Sequence, residues 1–378
     1  MSLIVLKFGG TSVGSAQKIN YVAKIIKKYH NKNNKLIVIS SAMSGVTNDL
    51  IKKSKKISKN FDKYEYDVLL SSGEQIACAL LSGSLLKIGI KSRSWLAWQI
   101  PIITKGEHKS SRIISINKKE ILKYVNSGGI PIIAGFQGIS NNKRITTLGR
   151  GGSDATAISI AKFFNADDCF IYTDVSGVFT TDPKLNQKAK KIKKISYEEM
   201  LEMASLGARI MQPISLQDAM MNDIDINVRS TFINSKGTKI SNNQELFNKN
   251  TITGIAFTKN EAKITLIGVM DRPGTAASIF KPLADNQINI DMVVQTSSAD
   301  GGQTDITFTI IKDDVRNCIK ILRKNKKISY KKIIHDDKVS KVSIIGAGMI
   351  TTPGVTYRMF QALAKKKNKY NGDLNIRD

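Results

Sequence analysis

Short apolar runs punctuate the first two thirds of the chain. "LIVLK" (3–7), "KLIVIS" (35–40), "IPIIAG" (130–135) and "CFIYTD" (169–174) are rich in β-branched residues and apolar at successive positions. That is the pattern of short strands buried on both faces. Between them lie stretches of helical character, "GEQIACALLSGSLLKIG" (73–89) and "DATAISIAKFF" (154–164). Strand and helix in alternation predict a doubly wound α/β domain with a mainly parallel sheet over residues 1–245. Each run leads into a loop rich in Gly, Ser or Thr: "FGGTS", "SAMSGVT", "GFQG" and "TDVSGV". In open α/β sheets ligands bind beyond the carboxyl ends of strands, so these loops are expected to share one site.

The pattern changes after a polar stretch, "SNNQELFNKN" (241–250), that reads as a linker. "KITLIGVMDRPGTAASIFKPLADNQ" (263–287) recurs as "KVSIIGAGMITTPGVTYRMFQALAKKK" (341–367), with Pro273/Pro353, Gly274/Gly354, Phe280/Phe360 and Leu283/Leu363 in step. Each copy predicts a strand, a Pro-Gly loop and an amphipathic helix, hence two copies of one small α/β module. The first copy goes on through "INIDMVVQ" and "TDITFTII" to a second helix and a strand, filling residues 263–337. Residues 246–262 are expected to be linker and an opening strand. Residues 338–378 are expected to be a truncated second module, whose tail, "NKYNGDLNIRD", is expected to be disordered from residue 368.

Composition changes this picture little. The net charge of +27 is almost all lysine spread along the chain, without an arginine stripe or interleaved aromatics, so no specific nucleic-acid partner is expected. No apolar run reaches the ~18 residues of a membrane span, and no signal peptide is apparent. Cys78, Cys169 and Cys318 are scattered and odd in number, which fits a reducing cytoplasm and not a disulfide framework.

Two stretches carry chemistry. "VLKFGGTSVGS" (5–15) places Lys7 at a strand tip before a Gly-Gly turn, the reverse of the order in a Walker A loop. "TTLGRGGSDATA" (146–157) places Arg150 and three glycines before a helix that Ser153 or Asp154 can cap. A helix N-terminus with a planar guanidinium beside it suits an anion.

Together with "LSSGEQIACALL", "AGFQG" and "YTDVSGVFTTDP" (172–183), the motifs "KFGGTS" and "GRGGSD" resemble the aspartate kinases of the amino-acid kinase superfamily. The C-terminal repeat resembles their tandem ACT modules. The resemblance implies phosphoryl transfer from ATP, with Mg²⁺, to the side-chain carboxylate of L-aspartate. That is the first step towards lysine, threonine and methionine. Glutamate kinase, N-acetylglutamate kinase and a catalytically inactive amino-acid sensor are the competing readings. A carboxylate is already an anionic nucleophile, so such a reaction needs positioning and charge stabilisation and no general base.

The resemblance also assigns roles. Lys7 and Asp154 are implied to be catalytic, with Asp154 either orienting Lys7 or binding Mg²⁺. Arg150 is implied to clamp the substrate α-carboxylate and Glu74 to accept from its α-ammonium. Ser41, Thr47, Gly151, Gly152 and Ser153 complete the substrate side. Lys7, Phe8, Gly9, Gly10, Thr173, Asp174, Phe179, Lys184, Ala208 and Arg209 are implied to bind ATP, with the amides of Gly9 and Gly10 cradling phosphate. The metal ligands cannot be read from the sequence. Lys7→Ala is expected to remove turnover with little loss of fold. Lysine or threonine is the implied effector, near Asp271, Gly274, Asn289, Ile290, Asp291 and Met292. A homodimer through the ACT modules is implied, and the truncated second module leads to an expectation of weakened or absent feedback inhibition.

Overall fold

In the computed structural model, residues 1–208, 210–242, 251–297, 302–349 and 352–365 are described, in two units divided between Gly254 and Ile255. In the first unit, strand β1 (Leu3–Phe8) buries Ile4 to Phe8 because it runs inside an eight-stranded sheet. β2 (Lys35–Ser40) pairs parallel on one side of β1 and β9 (Asp168–Thr173) parallel on the other. Beyond β2 lie β6 (Ile130–Ala134) and, at the edge, β3 (Ser92–Trp95). Beyond β9 lie β11 (Ile226–Ser230), β12 (Thr238–Ser241) and β10 (Lys194–Ser196). Only the β11–β12 pair is antiparallel. The loops leaving β1, β2, β6, β9 and β11 therefore emerge along one edge of the sheet.

Helices α1 (Ala16–His30) and α3 (Lys63–Lys87) pack on one face, with Val22, Ile26, Ala77, Leu81 and Leu85 against Leu6, Val38 and Ile132. α3 starts ten residues earlier than its apolar pattern indicates, because Asp62 caps it, accepting from the N–H groups of Tyr64 and Glu65. By length and composition alone this helix also qualifies as a candidate membrane span. At 25 residues, with a window of mean hydropathy 1.3, it is long and apolar enough to cross a bilayer. Its buried face, however, carries Asp67 and Glu74 and lies in the core. A second sheet of four short strands has the order β5 (Arg112–Ile116), β4 (Ile102–Lys105), β7 (Gln137–Ile139), β8 (Ile145–Thr147). Around both sheets lie α2 (Val46–Ile57), α4 (Lys119–Asn126), α5 (Gly152–Phe164), α6 (Tyr197–Ser205) and α7 (Pro213–Met221).

The second unit is a four-stranded sheet ordered β14 (Val293–Ser297), β15 (Gln303–Ile311), β13 (Gly254–Met270), β16 (Lys332–Ile345). Helices α8 (Thr275–Asp285) and α9 (Val315–Lys324) close its core through Ile279, Leu283, Cys318 and Leu322 on Ile264, Leu266 and Phe308. The repeat appears as matching geometry. Gly274, with φ +88°, precedes α8, and Gly354, with φ +90°, precedes α10 (Val355–Lys365). Left-handed backbone at that point explains the glycine in both copies. Positions 263 and 338, expected as module boundaries, fall inside β13 and β16, so continuous strands and not loops join the modules. The expected linker residues 243–250 and the expected disordered tail lie outside the described residues.

Candidate active site

Lys7 is the penultimate residue of β1, and its Nζ lies 2.5 Å from Asp154 Oδ1, with both side chains 10% exposed. A buried ammonium is tolerated there because a carboxylate from the first turn of α5 meets it.

The loop after β1 is stitched to its neighbours. Gly9 N–H donates to Tyr172 O (3.0 Å), Ser41 N–H to Phe8 O (3.1 Å) and Ser44 N–H to Gly10 O (3.1 Å). Two expectations change here. The amide of Gly9 is engaged by β9 and does not face a phosphate. The Phe8 ring is fully buried against Tyr172, centroids 4.8 Å apart, and offers a nucleotide no surface. The amides of Gly10 and Thr11 have no partner among the described residues and are the donors this loop presents. Gly10 must be glycine, since a Cβ there would sit 2.7 Å from Ala42 O. Ser12 Oγ and Thr231 Oγ1, 2.6 Å apart, tie the loop to the end of β11.

Glu74 comes from the middle of α3 and is 4% exposed. Its Oε1 accepts from Ala42 N–H (3.2 Å), while Oε2 is buried without a partner among the described residues. Burial raises its pKa from 4.5 to about 7, with the Ala42 N–H opposing that rise. A buried carboxylate with one oxygen satisfied is a receptor for a cationic N–H donor. Ser41, half-buried, follows β2, and Thr47, also half-buried, is in the first turn of α2, which has a left-handed Gly45 and no side-chain cap.

Arg150 is exposed and forms no ion pair among the described residues. The expectation that Ser153 or Asp154 caps α5 is not met. Gly151, with φ +74°, is the cap residue, and no side chain caps the helix. A Cβ on Gly151 would sit 2.5 Å from Gln212 Cγ, and one on Gly152 2.6 Å from Phe136 Cδ2. Ser153 is buried beside Gly135, where a Cβ would lie 2.8 Å from its Oγ.

At the end of β9, Thr173 Oγ1 donates to the exposed Asp174 (3.1 Å), and Thr231 N–H donates to Thr173 O (2.8 Å). Phe179 is half-buried and bridged to Lys191. Lys184 is exposed, and Ala208 lies just beyond α6, its N–H donating to Met203 O (2.8 Å). No hydrogen bond connects either to the Lys7–Gly10 loop among the described residues. Arg209 lies outside those residues. No group of three His, Cys, Asp or Glu converges among the described residues, so these supply no preformed metal cage. That suits Mg²⁺, which takes one or two carboxylates and otherwise phosphate and water.

Sequence reasoning missed Asp67. It is fully buried in α3 and accepts from His108 Nδ1 (2.7 Å), Thr147 Oγ1 (2.6 Å), Thr147 N–H (3.1 Å) and Lys109 N–H (3.2 Å). Its spacing of seven from Glu74 was the available signal.

In the second unit, Asp271 Oδ1 accepts from Gln295 Nε2 (3.4 Å), Gly274 caps α8, and Met292 N–H donates to Thr309 Oγ1 (3.2 Å). Asn289 is exposed, Ile290 packs on the core, and Asp291 pairs with Lys341.

A family model described as amino acid kinase family matches residues 2–230, and an ACT domain model matches 264–325 and 342–369. An aspartate kinase of Stutzerimonas stutzeri is 42% identical over 368 residues, 97% of this chain and 89% of its own. The aspartokinase of Corynebacterium glutamicum is 40% identical, over 96% of this chain and 87% of its own. The solved structure of Escherichia coli aspartokinase III in complex with lysine and aspartate is 25% identical, with a TM-score of 0.73, over 91% of this chain and 87% of that one.

Proposed function

The chain belongs to the amino-acid kinase family and is an aspartate kinase, and from that premise we propose how its residues make 4-phospho-L-aspartate from ATP and L-aspartate. The observation that carries the reading is the half-satisfied carboxylate of Glu74 at the same sheet edge as Lys7 and the unpartnered amides of Gly10 and Thr11. Glu74 Oε2 accepts from the substrate ammonium. Arg150, free of ion pairs among the described residues, clamps the α-carboxylate with its planar fork. Ser41, Thr47 and the turn Gly151–Ser153 hold the rest of the amino acid. The β-carboxylate oxygen attacks the γ-phosphorus, and the bond from that phosphorus to the leaving oxygen of ADP breaks. Lys7, aimed by Asp154, and the amides of Gly10 and Thr11 offset the charge on the transferring group.

Nucleotide contacts are assigned to Lys7, to the amides of Gly10 and Thr11, and to Thr173, Asp174, Phe179, Lys184, Ala208 and Arg209. Asp174, exposed at the end of β9, would hold Mg²⁺, which would supply charge neutralisation to the phosphates. Residues 1–245 form the catalytic domain and the modules from 263 onward the regulatory part. Lysine or threonine is the proposed effector at Asp271, Gly274 and Asn289–Met292. Weakened feedback by these effectors is part of the proposal. The chain acts as a homodimer through its ACT modules, whose edge strands β14 and β16 expose Val293 and Val342. Three buried free cysteines favour a reducing cytoplasm.

The test is ATP-dependent acyl-phosphate formation, trapped with hydroxylamine, from L-aspartate, L-glutamate and N-acetyl-L-glutamate in parallel. Product from aspartate alone is expected. Product from glutamate or N-acetylglutamate alone would overturn the substrate.

A further inference from the structure

Helix α3 carries two buried carboxylates, Asp67 and Glu74, seven residues apart. Seven residues are just under two turns, so both project from nearly the same face, about 10 Å apart along the axis. Glu74 reaches Ala42 in the loop after β2. Asp67 reaches the other side of the site, and its two oxygens take four donors from two segments. Oδ1 accepts the Thr147 hydroxyl, and Oδ2 accepts His108 Nδ1 and the amides of Lys109 and Thr147. The carboxylate selects the His108 tautomer with the proton on Nδ1. One turn along the same helix, Ser71 O accepts from Gln137 Nε2 (3.4 Å).

What hangs from Asp67 is the Arg150 turn. Thr147 ends β8, and Arg150 lies three residues beyond it. Leu148 N–H donates to Phe136 O, and Ser111 N–H to Thr147 O, each at 3.0 Å. Gly149 and Gly151 have φ of +76° and +74°, so the chain reverses sharply around Arg150. A Cβ on Gly149 would lie 3.0 Å from Lys109 O, so the segment that Asp67 anchors at His108 and Lys109 lies directly against the turn. Arg150 itself has no partner of its own among the described residues. The backbone that carries its guanidinium is braced by Asp67 through Thr147 and Lys109, together with the Leu148–Phe136 and Gly152–Gly149 hydrogen bonds.

We propose that Asp67 is a positioning residue for the amino-acid substrate, setting the distance between the ammonium acceptor Glu74 and the carboxylate clamp Arg150 from one rigid helix. The inference rests on the assignment of Arg150 to the α-carboxylate. Asp67 touches no substrate atom, so its loss changes where Arg150 sits and leaves the Lys7–Asp154 pair and the phosphate loop as they are. A carboxylate that merely held the fold would act on everything at once.

The test is steady-state kinetics on the full chain for Asp67→Asn, Thr147→Val and Arg150→Lys, with thermal melts alongside. Asp67→Asn keeps the shape but turns one acceptor into a donor facing other donors. Thr147→Val removes only the hydroxyl and covers the case in which Asp67→Asn fails to fold. We expect the aspartate KM to rise about tenfold in Asp67→Asn and about threefold in Thr147→Val, with the ATP KM and kcat within about a factor of two of wild type. In an Arg150→Ala background, Thr147→Val is expected to add nothing. The proposal is overturned if the aspartate KM is unchanged in the variants that fold. It is equally overturned if the ATP KM and kcat move in step with it. Arg150→Lys separates the two levels. If it leaves the aspartate KM unchanged, the underlying site reading falls. If it raises that KM while the Asp67 and Thr147 variants do not, only this inference falls.

Discussion

Replacing Glu74 by Gln separates what this carboxylate does for binding from what it costs the fold. Its pKa rises from 4.5 to about 7 in the folded chain, chiefly through burial. A carboxylate raised in this way binds its proton more tightly folded than unfolded. Between those two values stability therefore falls as pH rises, and above the upper one the full penalty is present. At 1.36 kcal/mol per pKa unit, the penalty is about 3 kcal/mol. Gln is neutral at every pH and can still accept from Ala42 N–H, but its new N–H₂ group needs a partner, which costs about 1 kcal/mol or more. The net gain for the ligand-free variant is about 1–2 kcal/mol above about pH 8. That corresponds to a rise of roughly 2–8 °C in the Tm of a unit this size. Near pH 4.5, where wild-type Glu74 is protonated as well, the gain should vanish. Binding should go the other way. Losing a charged acceptor for an ammonium costs about 1.5–3 kcal/mol, so the aspartate KM should rise about 10- to 100-fold. Thermal melts at both pH values, with and without aspartate, are the assay. A variant destabilised equally at both pH values would refute the electrostatic account of Glu74. One still stabilised by aspartate as strongly as wild type would remove Glu74 from the binding site.

Ionised Glu74 is the form that receives an ammonium, so the aspartate KM of the wild type should rise as pH falls through about 7, while the ATP KM stays flat. A flat aspartate profile from about pH 6 to 8 would count against this role. Arg150→Lys should raise the aspartate KM, since a point charge does not replace a bidentate fork. An unchanged value would mean Arg150 does not hold substrate. Titration with lysine, threonine and both together should leave most activity intact, and strong joint inhibition at sub-millimolar effector would show that the second module suffices for feedback.

Much of the sheet was legible because its strands are short apolar runs closed by polar or small residues. β2 runs from Lys35 to Ser40, as the pattern indicates. The start of α3 was missed because Tyr64–Asp67 interrupts the apolar pattern, although Asp62 before it was a readable cap. β10 and β12 are three or four residues long with one lysine each, and they are strands because β12 has the edge of β11 to join and β10 that of β12. In the site, glycines and charges within one loop could be read. What each amide does could not, since Gly9 and Gly10 differ only by which strand end reaches them. Beyond its spacing from Glu74, Asp67 was not legible for a related reason, because its partners lie 41 to 80 residues away in sequence. The half-satisfied state of Glu74 is likewise a property of packing, not of the motif around it.

The central claim is that Lys7 acts on the transferring phosphoryl group. The buried pair with Asp154 changes the substitution that tests it. Lys7→Ala would leave that carboxylate unpaired at 10% exposure, a loss of about 3–5 kcal/mol, so the expectation of an undisturbed fold does not hold for alanine. Lys7→Gln keeps an N–H donor near Asp154 and removes only the charge. Its kcat at saturating ATP and L-aspartate, on protein whose melting curve shows it folded, is the measurement. The account predicts a fall of about 10²–10³ with a much smaller change in the aspartate KM. Turnover within about a factor of two of wild type would contradict it.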